Sequence, residues 1–183
     1  GAHAKYDSVI RRFRADEPEL AATAMFNKGA IYELEKDDKV AIETYERVVK
    51  DFPKSRIAPE AKFAVGMLYE AMTNFREAAD AFLDMAKFRD NADAAQALIN
   101  AGAILNALQE YKAAAAAYDK FITVGNALKG DDEKTVRIKG LIADAEMEKG
   151  HVLEKLGAEG AKLAAAAYNA VVARYPDRAD LHT

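Results

Sequence analysis

Four glycines recur along this chain with the same companions, and that repeat constrains the fold more than any other feature. Gly29, Gly66, Gly102 and Gly150 are followed three residues later by Tyr32, Tyr69, Leu105 and Leu153. Twelve residues after the first three glycines stand Ala41, Ala78 and Ala114, and four further on stand Tyr45, Phe82 and Tyr118. The fourth copy closes the same way, with Ala164 and Tyr168, after two extra residues in its turn. Self-similarity at this period marks units that cannot bury their apolar faces alone and must stack on neighbours. Such arrays present extended surfaces, so the pattern points to binding before catalysis.

The rest of the sequence agrees with helix. Apolar residues keep the helical three-and-four spacing almost throughout. Only four prolines and ten glycines interrupt 183 residues rich in alanine, which favours helix further. No segment alternates with a period of two, so no sheet is expected. Asp16-Glu17-Pro18 reads as an N-cap with proline near the first helical position. Asp51-Phe52-Pro53-Lys54-Ser55 ends one helix and starts another, as Tyr175-Pro176-Asp177 does later. Polar turns at Lys36-Asp37-Asp38, Thr73-Asn74 and Gln109-Glu110 split each unit into two helices. Asp131-Asp132-Glu133 makes a helix start, from which the first helix of the fourth unit is expected to reach about Leu156, with Gly140 as its weak point.

These units resemble tetratricopeptide repeats, the 34-residue helix–turn–helix elements. With each glycine at repeat position 8, position 11 holds Tyr32, Tyr69, Leu105 and Leu153, and position 20 holds Ala41, Ala78, Ala114 and Ala164. Position 24 holds Tyr45, Phe82, Tyr118 and Tyr168, and position 32 holds Pro53, Asp90, Asn126 and Pro176. An aromatic precedes the second helix at Phe75 and Tyr111; the family's tryptophan at position 4 is absent, and two closing prolines are replaced. The resemblance implies an all-α, right-handed superhelical solenoid of antiparallel helix pairs, about four repeats plus an N-terminal half repeat. The expected divisions are 5–14 (the second helix of a truncated repeat), 18–55, 56–92, 93–128 and an irregular 131–177. Small residues at positions 8 and 20 let the helices of a pair approach closely at their crossing, and the ring at position 24 fills the adjoining gap, at roughly 1.5–3 kcal/mol per large apolar side chain buried. A bulky residue at Ala78 should overpack the hairpin.

The opening segment Tyr6-Asp7-Ser8-Val9-Ile10-Arg11-Arg12-Phe13 matches Tyr45-Glu46-Arg47-Val48-Val49-Lys50-Asp51-Phe52. The chain therefore opens on a second helix, as a piece of a longer array would, with Gly1-Ala2-His3-Ala4 read in part as an appended tag. Phe52-Pro53-Lys54-Ser55 and Tyr175-Pro176-Asp177 are similar to the bacterial cell-envelope subset of the family, of the outer-membrane-assembly lipoprotein and TolA-binding periplasmic type. That likeness implies a periplasmic or envelope-associated protein that meets the membrane only indirectly, through a complex; a cytoplasmic location is the alternative.

In the family, positions 2, 5, 6, 9, 12 and 13 of each first helix line a concave groove. The groove residues singled out here are Phe26, Asn27, Ala30, Glu33, Phe63, Met67, Glu70, Ile99, Asn100, Asn106, Met147 and His151. They mix apolar anchors with amides suited to an extended peptide backbone, a mixture used in groove recognition. Against it stands the plain reading that position 5 is half-buried packing and the acids a solvated face. Carboxylates outnumber cations in the lining, so a protein or peptide partner that is neutral to basic is expected. Family members that clamp acidic chaperone tails use groove lysines, which the first three units lack.

Other functions find little support. A net charge of −4 and the absence of a basic stripe argue against nucleic acid. No cysteine occurs, which removes disulfides, thiolate metal sites and cysteine nucleophiles. No apolar run is long enough to span a bilayer. His3, His151 and His182 form no paired-ligand motif, although Gly1-Ala2-His3 with a free amine could chelate Cu(II) or Ni(II). No catalytic set, cofactor loop or metal site is recognisable, so an enzyme is not expected. The rival to groove binding is self-assembly into a homodimer through an apolar N-terminal edge (Val9, Ile10, Phe13) or through the last helix.

Overall fold

The computed structural model describes residues 1–177, so His182 lies outside the described residues. Among these there are ten α-helices, one 3-10 turn and no strand. The chain divides into two compact units, Gly1–Ala81 and Phe82 onward. In the first, α1 (Ala2–Phe13), α2 (Pro18–Leu34), α3 (Asp38–Asp51) and α4 (Ala58–Ala71) pack consecutively, each on the next. Helix α5 (Phe75–Asp84) crosses the division. The second unit continues through a 3-10 turn (Met85–Lys87), α6 (Ala92–Ala107), α7 (Tyr111–Ala127), α8 (Glu133–Gly140), α9 (Ile142–Glu154) and α10 (Ala158–Arg174). Here α6 packs on α7, α7 on α9, and α9 on α10. The expected all-α fold of successive helix pairs is the fold observed.

The core of the first unit shows why small residues dominate the first helix of each pair. Helix α2 lies against both α1 and α3, and Ala21, Ala22, Ala24, Met25 and Gly29 are all buried. A helix covered on several flanks must be apolar or small around most of its circumference. Ile42, Tyr45 and Val48 of α3 and Val65 of α4 complete this core. Ile10 is buried in it, with Val9 and Phe13 packed against it. The apolar edge expected at Val9, Ile10 and Phe13 is thus used within the unit, because α2 covers it.

The repeated glycine has a sharper role than close helix approach. A Cβ on Gly29 would lie 2.6 Å from Cε1 of Tyr45, and one on Gly102 would lie 2.7 Å from Cε1 of Tyr118. A Cβ on Gly150 would likewise meet the Tyr168 ring. In these three pairs the position-24 ring occupies the space a side chain at position 8 would need, so Gly29, Gly102 and Gly150 are each a notch cut for a ring.

The turns inside the first three pairs share one backbone solution. Lys36, Thr73 and Gln109 have φ of 63°, 60° and 61°. The next residue's N–H reaches back to the last helical turn, Asp37 to Tyr32 O, Asn74 to Tyr69 O and Glu110 to Leu105 O, at 2.8–2.9 Å. This left-handed C-terminal closure favours glycine and is least suited to a β-branched residue. Thr73→Gly is therefore expected to stabilise the protein by about 1 kcal/mol, the relief of left-handed strain exceeding glycine's entropy cost. A lower urea midpoint for this variant would contradict the strained turn.

One sequence expectation is met in place and another needs correction. Within Asp16-Glu17-Pro18, Glu17 is the N-cap residue, without a side-chain bond, and Pro18 opens the helix. Glu19 instead accepts from Ser55 Oγ at 2.7 Å and from the Arg56 N–H, tying the start of α2 to the joint after α3. The long helix expected from Asp131 to Leu156 is broken at Leu141. Asp132 caps α8 through the Thr135 N–H at 3.1 Å, but α8 stops at Gly140 and α9 begins at Ile142. Gly140 weakens the helix, and the Leu141 N–H is shared between Arg137 O and Ile138 O. Ile138 and Ile142 are both buried and both face Gly125 of α7. Four residues apart, the two isoleucines share a face, and both stay on that glycine across the break.

Candidate functional site

Within the first unit, α2, α3 and α4 border an open pocket of about 470 Å³. Its position follows from the repeat. Residues seven apart on a helix share a face, and on α2 these are Phe26 and Glu33. Helix α4 contributes Phe63 from the repeat position of Phe26, with Glu60 three residues before it and Met67 four after it on the same face, and Ala64 and Ala71 leave the space open. Phe26 is half-buried and its ring lies 5.0 Å from that of Tyr45. Met67, on the pocket wall, is 45% exposed; an apolar side chain this accessible beside two phenylalanines can still gain from contact with a partner.

Acid borders this apolar space. Glu33 and Glu60 both line the pocket, and no lysine or arginine does. The Tyr45 hydroxyl donates to Glu33 Oε1. Burial first, then the bond to Glu33 and the charges of Glu33 and Glu60, push the Tyr45 hydroxyl well above the usual phenol range. Tyr45 therefore stays protonated and fixes the Glu33 carboxylate in place. An apolar floor with a fixed acid at its rim suits a side chain with an apolar stem and a cationic head.

Of the other groove residues expected in this unit, Asn27 is exposed, and Ala30 and Glu70 are half-buried; none of the three lines the pocket. Tyr45 does line it, although the repeat pattern assigned it only to packing. The signal was its hydroxyl: position 24 carries tyrosine in three of four copies, where a purely apolar filler would be phenylalanine.

The second unit holds the remaining expected residues, and several are already engaged. Ile99, Asn100 and Asn106 are half-buried on α6. Asn100 Oδ1 accepts from Gln96 Nε2 at 3.0 Å, and Asn106 Oδ1 accepts from Lys155 Nζ at 2.9 Å. Met147 is half-buried and His151 exposed on α9, with the His151 ring 5.7 Å from that of Tyr168. Burial, then the Glu148 charge, pushes the Tyr118 hydroxyl up to about 12. Tyr168 rises to about 12 through burial and then the Glu154 carboxylate. A cleft of this unit, lined by Ala86, Arg89, Lys120 and Val124 among others, gathers none of the expected residues.

His3 stacks on Tyr32 at 4.3 Å, with Nε2 3.0 Å from Glu35 Oε2. Among the described residues no His, Asp or Glu cluster is arranged to hold a metal ion, and no helix is long and apolar enough to cross a membrane.

Two family models, each described as tetratricopeptide repeat, match the chain over residues 23–55 and 63–130, together more than half of it. No curated protein matches the chain. Repeats of this family generally mediate protein–protein interaction and typically form scaffolds without catalytic activity. The first match ends at Ser55, where Glu19 ties the joint after α3, and the second spans α6 and α7 with the Gly102–Tyr118 notch. From its helix pairs, its ring notches and both matches, the chain belongs to the tetratricopeptide repeat family.

Proposed function

We propose that this chain is a non-enzymatic binding module that holds a peptide segment of a partner protein through the pocket of its first unit, and that the segment is basic and aliphatic. The observation that carries this is the pocket itself: Phe26, Phe63 and Met67 form an apolar site whose charged members, Glu33 and Glu60, are both acidic. A lysine or arginine in the partner would lay its stem across the rings and its head between the carboxylates. Asn27, Ala30 and Glu70 flank the pocket along the same two helices and would contact residues on either side. Ile99, Asn100, Asn106, Met147 and His151 would offer further contacts in the second unit.

The test is direct binding of a fluorescent peptide of alternating arginine and leucine. Rim charges are each worth about 1 kcal/mol or less in solvent, so Glu33→Gln with Glu60→Gln should weaken binding by about tenfold at low salt. Phe26→Ala with Phe63→Ala should weaken it at every salt concentration. Unchanged affinity in both double variants would refute the reading. We place the module in a bacterial cell-envelope assembly on the strength of the Phe52-Pro53-Lys54-Ser55 likeness. Osmotic-shock fractionation should then release the natural protein with periplasmic markers; release with cytoplasmic markers would oppose this placement.

A further inference from the structure

The first unit carries a second concave site of opposite charge. A cleft of about 330 Å³ is walled by α1 and α3 and floored by α2. Arg11 and Arg14 reach it from α1, Lys28 from α2 and Arg47 from α3, while Asp7 is its one acid. On α2, Met25 and Lys28 lie about a third of a turn round from Phe26 and Glu33, at 3.6 residues per turn. On α2, which both share, the cleft and the acidic pocket therefore use different faces.

Its charges do not cancel. Lys28 Nζ bonds Asp7 Oδ1 at 2.7 Å, and that lysine side chain is only 15% exposed. Arg14 pairs with Asp51 at 3.0 Å, outside the cleft lining. Arg11 and Arg47 are exposed, and among the described residues no acid pairs with either. Two guanidinium groups thus stand on opposite walls, in a chain whose net charge is −4. Ile10 of α1 and Met25 of α2, both buried, close the base of the cleft between them. Thr44 adds no donor, because its hydroxyl already donates to Val40 O at 2.7 Å. A local role also exists for Arg11, which lies in the last turn of α1, where a cation suits the helix dipole. That role accounts for one wall only, since Arg47 lies mid-helix on α3.

We infer that this cleft binds an acidic segment of a partner protein, with carboxylates on Arg11 and Arg47. Guanidinium forks take carboxylates bidentately. Two forks on separate walls fit a chain that carries its charges some residues apart better than one compact anion. The module would then grip acidic and basic partner segments on separate faces.

The experiment uses the full chain and a labelled peptide of alternating glutamate and leucine, followed by fluorescence anisotropy at low and physiological salt. The wild type should bind, more weakly as salt screens the contact. Arg11→Gln with Arg47→Gln should lose about tenfold or more in affinity. Lys39→Gln with Lys54→Gln, which removes the same net charge from exposed positions, should stay within about twofold of wild type. Matching circular dichroism spectra establish that both double variants fold. Glu33→Gln with Glu60→Gln should leave acidic-peptide binding intact, so this site fails or stands independently of the acidic pocket. Absence of binding at low salt would overturn the inference, as would equal loss in both double variants. Inorganic phosphate shifting the amide signals around Arg11 and Arg47 while the peptide shifts none would also overturn it.

Discussion

Gly160→Ala is expected to destabilise the second unit by about 3 kcal/mol, at the upper end of overpacking costs. A Cβ there would strike the Leu153 carbonyl and lie 2.8 Å from both the Leu153 carbonyl carbon and Leu156 Cβ. Alanine's better helix propensity returns at most about 1 kcal/mol. The obstacle is mainly backbone, so no rotamer change relieves it, and α10 must move relative to the end of α9. That movement disturbs the packing of Val152, Leu153, Ala164 and Val171, all buried. Urea unfolding followed by far-UV circular dichroism measures the loss. A Gly160→Ala midpoint equal to wild type would show that the α9–α10 joint is looser than described.

Gly29→Ala should cost about 2 kcal/mol, and the cost should depend on Tyr45. The added methyl meets ring carbons at 2.6 and 2.8 Å, and overpacking a tight core costs roughly 1–3 kcal/mol. Tyr45 has little room to yield: it is 1% exposed, and its hydroxyl is tied to Glu33. Tyr45→Leu should be destabilising alone, through lost area and a lost hydrogen bond. Combined with Gly29→Ala it should be markedly less than additive, because the methyl can occupy space the ring vacated. A double-mutant cycle reads this as a coupling of about 1 kcal/mol or more. Strict additivity would mean that glycine and ring do not share the notch. Gly150→Ala should cost less than its close approach suggests, because the Tyr168 ring it meets is only half-buried and can shift.

Much of the fold was legible from local chemistry. Glycine at position 8, alanine at position 20 and a ring at position 24 set the register, and polar turns set the helix ends, each through short-range sterics. Proline at Pro53 cannot continue α3, and Asp132 caps α8 as its spacing suggested. The two extra residues of the fourth turn were visible too. What they do was not: Gly157 adopts φ 66° there, and α10 then starts close enough to Leu153 to require Gly160.

The lining of the first-unit pocket was legible in part. Phe26, Glu33, Phe63 and Met67 stand at repeat positions that the family resemblance implied, and helical spacing puts each pair on one face of its own helix. Tyr45's second role did not follow, because whether its hydroxyl reaches Glu33 depends on how α3 crosses α2. The basic cleft was hidden in a similar way. Arg11, Lys28 and Arg47 are far apart in sequence, and each alone reads as an ordinary solvated cation.

The sequence by itself determined that this chain forms paired helices in a tetratricopeptide register, since propensity, capping and periodicity all act within a few residues. Only the tertiary structure decided that Gly29, Gly102 and Gly150 each receive a ring, that the helix before the fourth pair breaks at Leu141, and that one unit carries an acidic and a basic concavity. Those outcomes depend on which helix faces meet, and facing is set by the summed packing of residues that periodicity brings near one another but cannot orient.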